Sequence, residues 1–176
     1  MYIFDGAMGT MLQAAGLEEG YCPELYNIEH PDVVRDIYTQ YLQAGSDIIT
    51  ANTFGACNLK LEDYDLQDRV RDINIAAVTL AKEAIANVKP EARVAGSMGP
   101  TGRFLQPLGN MSFDEIYHTY REQAEALIEG GVDFIIIETI IDVQEMRAAL
   151  LASLDAREAQ GKTKDDVQII CQFSFS

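Results

Sequence analysis

Short apolar runs alternate with longer amphipathic segments along the whole chain, and this alternation restricts the fold more than any single motif. The runs fall at residues 2–4, 48–50, 93–95, 134–137 and 167–173. Most are continuous rather than alternating, as parallel strands covered on both faces require. Between them lie four segments with helical spacing. After Pro31, apolar residues recur at Val33, Val34, Ile37, Tyr38, Tyr41 and Leu42, and Gly45 supplies a stop. A second helix is expected over about 66–88. Ser112, with Glu115 three residues on, predicts a capping box for a third helix ending at Gly130-Gly131. Asp142 predicts the cap of a fourth, and a shorter helix is expected after Asp5. Strands and helices in turn argue for an α/β fold.

An internal repeat sharpens the reading. Residues 45–53 (GSDIITANT) align without gaps to 131–139 (GVDFIIIET). Each copy runs from a helix-ending glycine through an aspartate and an apolar strand to a polar residue followed by threonine. Two strand–helix units can share the glycine and aspartate for architectural reasons alone. The polar ends are less easily explained that way. They place Asn52 and Glu138 at the carboxyl ends of strands, where α/β folds carry their chemistry.

A doubly wound sheet can stop at five strands, whereas a closed (β/α)8 barrel takes about 250 residues. This chain has 176, and its last apolar run reaches the C-terminus with no helix after it, as in an interrupted barrel.

Composition excludes several classes of function. With 13 basic against 28 acidic residues the formal charge is −15, which disfavours a nucleic-acid partner. No apolar run approaches the roughly 18 residues needed to cross a bilayer, and no secretory signal is visible. Cys22, Cys57 and Cys171 are odd in number and lack metal-like spacing, which fits a reducing cytoplasm.

Asp5-Gly6-Ala7-Met8-Gly9-Thr10 follows the first run directly. Its glycines permit close backbone approach, and Asp5 either caps the next helix or serves a ligand. Neither GxGxxG nor a P-loop lysine is present, so this is a poor phosphate loop. Residues 96–102 (GSMGPTG) specify a tight turn. Glu138 ends a wholly apolar run, where an ionised carboxylate needs a partner, either a ligand or an internal lysine or arginine. Asp5, Asn52 and Glu138 would give one mouth two acids and a carboxamide, suited to an ammonium group. His30 and His118 read as solvated, Cys57 as buried and Cys171 as core.

Taken together, residues 4–12 (FDGAMGTML), 26–34 (YNIEHPDVV), 51–56 (ANTFGA), 99–102 (GPTG) and Glu138-Thr139 resemble the homocysteine S-methyltransferase family, in that family's order. The resemblance runs from the first strand to at least Leu151 and is strongest to the homocysteine-binding module of its cobalamin-dependent branch. It implies an incomplete (β/α)8 TIM barrel, α/β in class, spanning about the first five strands with four intervening helical segments. The whole chain, 1–176, would be the N-terminal part of a homocysteine-binding domain. The resemblance further implies that Asp5 and Glu138 engage the amino-acid end of homocysteine. Backbone around Gly6 would line the same site, and Asn52, Thr53 and Phe54 would shape the pocket floor. In the family, zinc held by three cysteines binds the substrate sulfur as a thiolate. The thiolate then accepts a methyl group to give methionine. Those cysteine motifs lie beyond the part matched, and Cys22, Cys57 and Cys171 do not occupy them. Zinc and methylcobalamin are therefore expected for a full-length protein, with neither bound by this chain alone, which would be inactive by itself. Betaine, S-methylmethionine and folate routes stay open as methyl sources. The expected partners are homocysteine, the C-terminal half-barrel, cobalamin and folate domains, and a second copy paired through open barrel edges. The alternatives are a non-catalytic half-barrel that complements another chain, and a complete five-stranded domain with another ligand.

Overall fold

A computed structural model describes residues 2–175. Its core is a four-stranded, all-parallel sheet in the order β1 (Ile48–Ala51), β2 (Arg93–Met98), β3 (Phe134–Ile140), β4 (Gln168–Phe173). The helices are α1 (Met8–Ala14), α2 (Tyr26–Glu29), α3 (Pro31–Ala44), α4 (Asn58–Leu61), α5 (Val70–Val88), α6 (Phe113–Gly130) and α7 (Val143–Ala159).

The long helices begin and end on local chemistry. Pro31 opens α3, and Gly45 closes it in a left-handed conformation at φ 111°. At α6 the Glu115 N–H donates to Ser112 Oγ at 3.2 Å while Ser112 N–H donates to Glu115 Oε2 at 2.8 Å, completing the capping box. Asp142 caps α7 by accepting from the Gln144 and Glu145 N–H groups. The second helix starts later than its apolar spacing indicates: residues 67–69 form a 3-10 turn, and the α-helix begins at Val70.

Alternation along the strands sorts the sheet into two different faces. Ile49, Ala51, Val94, Met98, Ile135, Ile137 and Ile140 share one core with residues from α3, α5, α6 and α7. On the opposite face Ile48, Ala95 and Phe134 form a small separate cluster with Phe4, Ile136 and Ile170. A doubly wound sheet carries helices on both faces. Here the long helices share the core of one face.

Two expectations need correction. The run at residues 2–4 does not make a full strand. It lies beside β1 through the Asp5 N–H to Ile48 carbonyl bond (3.0 Å) and a single parallel bridge at Phe4. Cys171 is exposed rather than core, because β4 pairs with β3 alone and its outer edge is open. None of the described helices is long and apolar enough to cross a membrane.

Candidate functional site

The strands' carboxyl ends and the segment after Phe4 enclose a cavity of about 710 Å³ on the face opposite the long helices. Asp5, Gly6, Asn52, Thr53, Phe54 and Glu138 all line it. Asp5 and Glu138 thus reach the same mouth from opposite sides of β1 and β2.

Asp5 is set by the edge pairing. Its N–H is tied to Ile48, and its Oδ2 accepts the Thr50 N–H at 2.9 Å. Burial pushes its pKa from 3.8 up to about 6, opposed by the bonds to Thr50 and reinforced by the negative charge of Glu138. Gly6 is required by Tyr41, because a Cβ there would lie 2.9 Å from the tyrosine ring. The Tyr41 hydroxyl donates to the Ala7 carbonyl at 2.8 Å, clamping this segment onto α3.

Glu138 ends the inward-facing series Phe134, Ile136, Glu138 on β3. Its Oε1 accepts the Ser97 hydroxyl at 2.5 Å. Ser97 is fixed in turn by Thr53: the Ser97 N–H donates to Thr53 Oγ1 at 3.0 Å, and Thr53 Oγ1 donates to the Ser97 carbonyl at 2.8 Å. The partner of Glu138 is therefore a hydroxyl, and among the described residues no lysine, arginine or histidine lines the cavity.

Asn52 lines the cavity but spends its amide on the chain itself. Its Nδ2 donates to the Pro23 carbonyl (2.8 Å) and to Asn27 Oδ1 (3.1 Å), and its N–H donates to the Tyr38 hydroxyl at 2.7 Å. The carboxamide holds the 3-10 turn Pro23–Leu25 against the end of β1 and presents no free N–H to a ligand. That turn brings in Glu24, an acid the sequence reading missed. Glu24 is buried, lines the cavity and accepts the Gly55 N–H through Oε1 at 2.7 Å. No periodicity marks it, and Gly55, where a Cβ would lie 2.8 Å from that oxygen, is 31 residues away in sequence. Phe54, 41% exposed, lies against Gly99, where a Cβ would meet its ring at 2.6 Å. The Gly99–Gly102 loop is pinned from below by buried Glu145, which accepts the Thr101 N–H at 2.8 Å and its hydroxyl at 2.7 Å.

The arrangement offers three carboxylates, the hydroxyl side chains of Thr50, Thr53 and Ser97, and an apolar wall of Phe4, Met8, Ile136 and Ile170. It suits a small ligand with a cationic head and a less polar tail.

Residues 2–176 match the model of the homocysteine S-methyltransferase family. The chain belongs to that family. A methionine synthase from Mycobacterium tuberculosis is 40% identical over 169 residues, covering 90% of this chain and 14% of that protein. One from Mycobacterium leprae is 37% identical over the same shares. The chain thus spans about a seventh of the length of these curated relatives. Among solved structures, the homocysteine methyltransferase MmuM from Escherichia coli superposes with a TM-score of 0.77 in its oxidised form and 0.76 in its metallated form. Each is 24% identical; the matches cover 99% of this chain and 62% and 63% of MmuM. These establish a shared fold.

The described residues do not fit the zinc site that the homocysteine S-methyltransferase resemblance implies. They contain no group of three or more histidines, cysteines or acids placed to hold a metal. Burial pushes the Cys22 thiol up to about 12 and the Cys57 thiol up to about 11, away from the thiolate a metal takes. Cys171 lies apart on β4.

Proposed function

We propose that this chain is the homocysteine-gripping part of a homocysteine S-methyltransferase, forming methionine by methyl transfer to the substrate thiolate. The observation that carries the reading is the mouth itself. Asp5, Glu24 and Glu138 line one cavity with no cationic side chain among the described residues, so a bound ammonium supplies the missing positive charge. Asp5 and Glu138 take the amino group. Gly6 contributes backbone, and Phe54 closes one wall. Thr53 and Asn52 hold the floor in place through Ser97 and Pro23.

In this reading residues 1–176 form the front of a (β/α)8 barrel. The free edge of β4 and the inner face opposite the long helices accept the remaining strands, from the same protein or from another copy. The long helices packed on one side only, and the 62% coverage of MmuM, support it. Zinc and the methyl donor, with methylcobalamin first among the candidates, are then held by parts outside these residues, and the chain alone turns nothing over. Three free thiols suit a cytoplasmic setting.

Calorimetry with homocysteine and with 4-mercaptobutyrate, which lacks only the amino group, tests the reading. Homocysteine should bind about tenfold or more tightly than the deaminated analogue. Equal affinities, or no binding of either, would remove the proposed role of the acids.

A further inference from the structure

Two non-glycine residues among those described have a left-handed backbone, Asp65 at φ 58° and Thr139 at φ 65°. Asp65 closes a turn, where aspartate tolerates that conformation. Thr139 is β-branched, so the same conformation is strained. It also interrupts the ladder. Ile137 lies opposite Cys171 and Ile140 opposite Phe173, so Glu138 and Thr139 on β3 face Gln172 alone on β4. This is a one-residue bulge, unusual between parallel strands.

The core does not account for it. Ile137 faces the helices, Glu138 the cavity and Ile140 the helices again. Leaving out Thr139 would preserve that inside–outside alternation and still bury Ile140. The Thr139 side chain is exposed, so no burial there offsets the strain. What the bulge changes is the course of β3 at the residue next to Glu138.

We propose that Thr139 is a positioning residue: its left-handed bulge turns the end of β3 so that Glu138 is held against Ser97 Oγ and over the cavity it shares with Asp5. The proposal rests on the reading of that cavity as the homocysteine site. Bulges re-aim side chains beside active sites, and strain kept at an exposed rim position is consistent with such a role.

The test compares deletion of Thr139, which removes the bulge, with Thr139→Gly, the conservative change for a left-handed backbone. Homocysteine affinity is read by calorimetry, and the Glu138 side-chain carboxyl signal by carbon-13 NMR. The deletion should keep a native circular dichroism spectrum, lower affinity about tenfold or more, and move the Glu138 signal as the Ser97 bond is lost. Thr139→Gly should retain both, with a melting temperature no lower than that of the unaltered chain. A folded deletion with unchanged affinity and an unmoved Glu138 signal would overturn the proposal. So would a glycine variant that loses as much as the deletion, since the side chain rather than the backbone would then be acting. If the deletion does not fold, Thr139→Pro, which cannot take a positive φ, replaces it with the same expectations. Failure of both to fold would overturn the proposal by making the bulge a requirement of the sheet. Should the unaltered chain bind no homocysteine, the cavity reading fails on its own, and the Glu138 signal still decides what Thr139 does.

Discussion

The two copies of the repeated segment, residues 45–53 and 131–139, behave alike at their beginnings and differently at their ends. Gly45 and Gly131 both close helices with positive φ, at 111° and 87°. Asp47 and Asp133 each accept a backbone N–H from the neighbouring chain segment, Ile3 at 3.0 Å and Val94 at 2.9 Å. Divergence begins at the polar residue. Asn52 is buried, with its amide committed to Pro23 and Asn27, whereas Glu138 is only partly buried and meets a single hydroxyl. Thr53 is fully buried and ties β1 to β2, while Thr139 is exposed and left-handed. The same local pattern thus makes a scaffold end and a cavity-facing end. What separates them is long-range: the Pro23–Leu25 turn folds over the first copy, and no such turn covers the second.

The widest separation between the copies should appear on truncating their polar residues. Asn52→Ala leaves the Pro23 carbonyl and Asn27 Oδ1 without their donor in a buried place. It should therefore cost about 2–3 kcal/mol of stability in chemical denaturation. Glu138→Ala should change stability by less than about 1 kcal/mol and instead lower homocysteine affinity about 10-fold to 100-fold in calorimetry. Matching stability losses in the two variants would erase the distinction between scaffold and site.

Glu138→Ala has a second consequence, which runs through Asp5. Because burial and the Glu138 charge raise the Asp5 pKa to about 6, Asp5 favours the folded state most when protonated. That contribution is complete below about pH 4 and is lost as the pH rises through about 6. Ammonium binding requires the opposite form, so affinity should climb across that interval. Removing Glu138 takes away one of the charges that raise Asp5, and its titration should move to lower pH in NMR. An unmoved Asp5 titration would show that the two acids do not sense each other.

Features that depend on neighbours in sequence were legible; those that depend on distant segments were not. The Ser112–Glu115 box, the Asp142 cap and the Gly45 stop each complete within a few residues, and each forms as read. The mouth shared by Asp5, Asn52 and Glu138 was also legible, since position at a strand end follows from the strand–helix rhythm. Glu24 escaped because the backbone N–H that holds its carboxylate belongs to Gly55, 31 residues away. Asn52 was placed at that mouth, but nothing nearby in sequence shows that Pro23 would claim its amide. Cys171 was read as core from an apolar run whose outer neighbour is absent among the described residues. Thr139 carries no composition signal for a left-handed backbone; threonine there argues for the opposite.

The smallest predicted effect concerns the part of the repeat where the copies agree. Gly45→Ala and Gly131→Ala each force a Cβ into a left-handed helix end, and each should cost about 1 kcal/mol. Their surroundings differ: the space beside Gly45 is open, whereas a Cβ at residue 131 would lie 2.6 Å from Lys82 Nζ. That ammonium is the mobile end of a long side chain, bonded to the Gly130 carbonyl at 3.3 Å, and it can move aside. Backbone strain should therefore dominate at both sites, and the two variants should melt within about 2 °C of each other. A clearly larger loss at residue 131 would mean that the Lys82 contact is part of how α5 and α6 pack, and the likeness of the two beginnings would then be one of backbone alone.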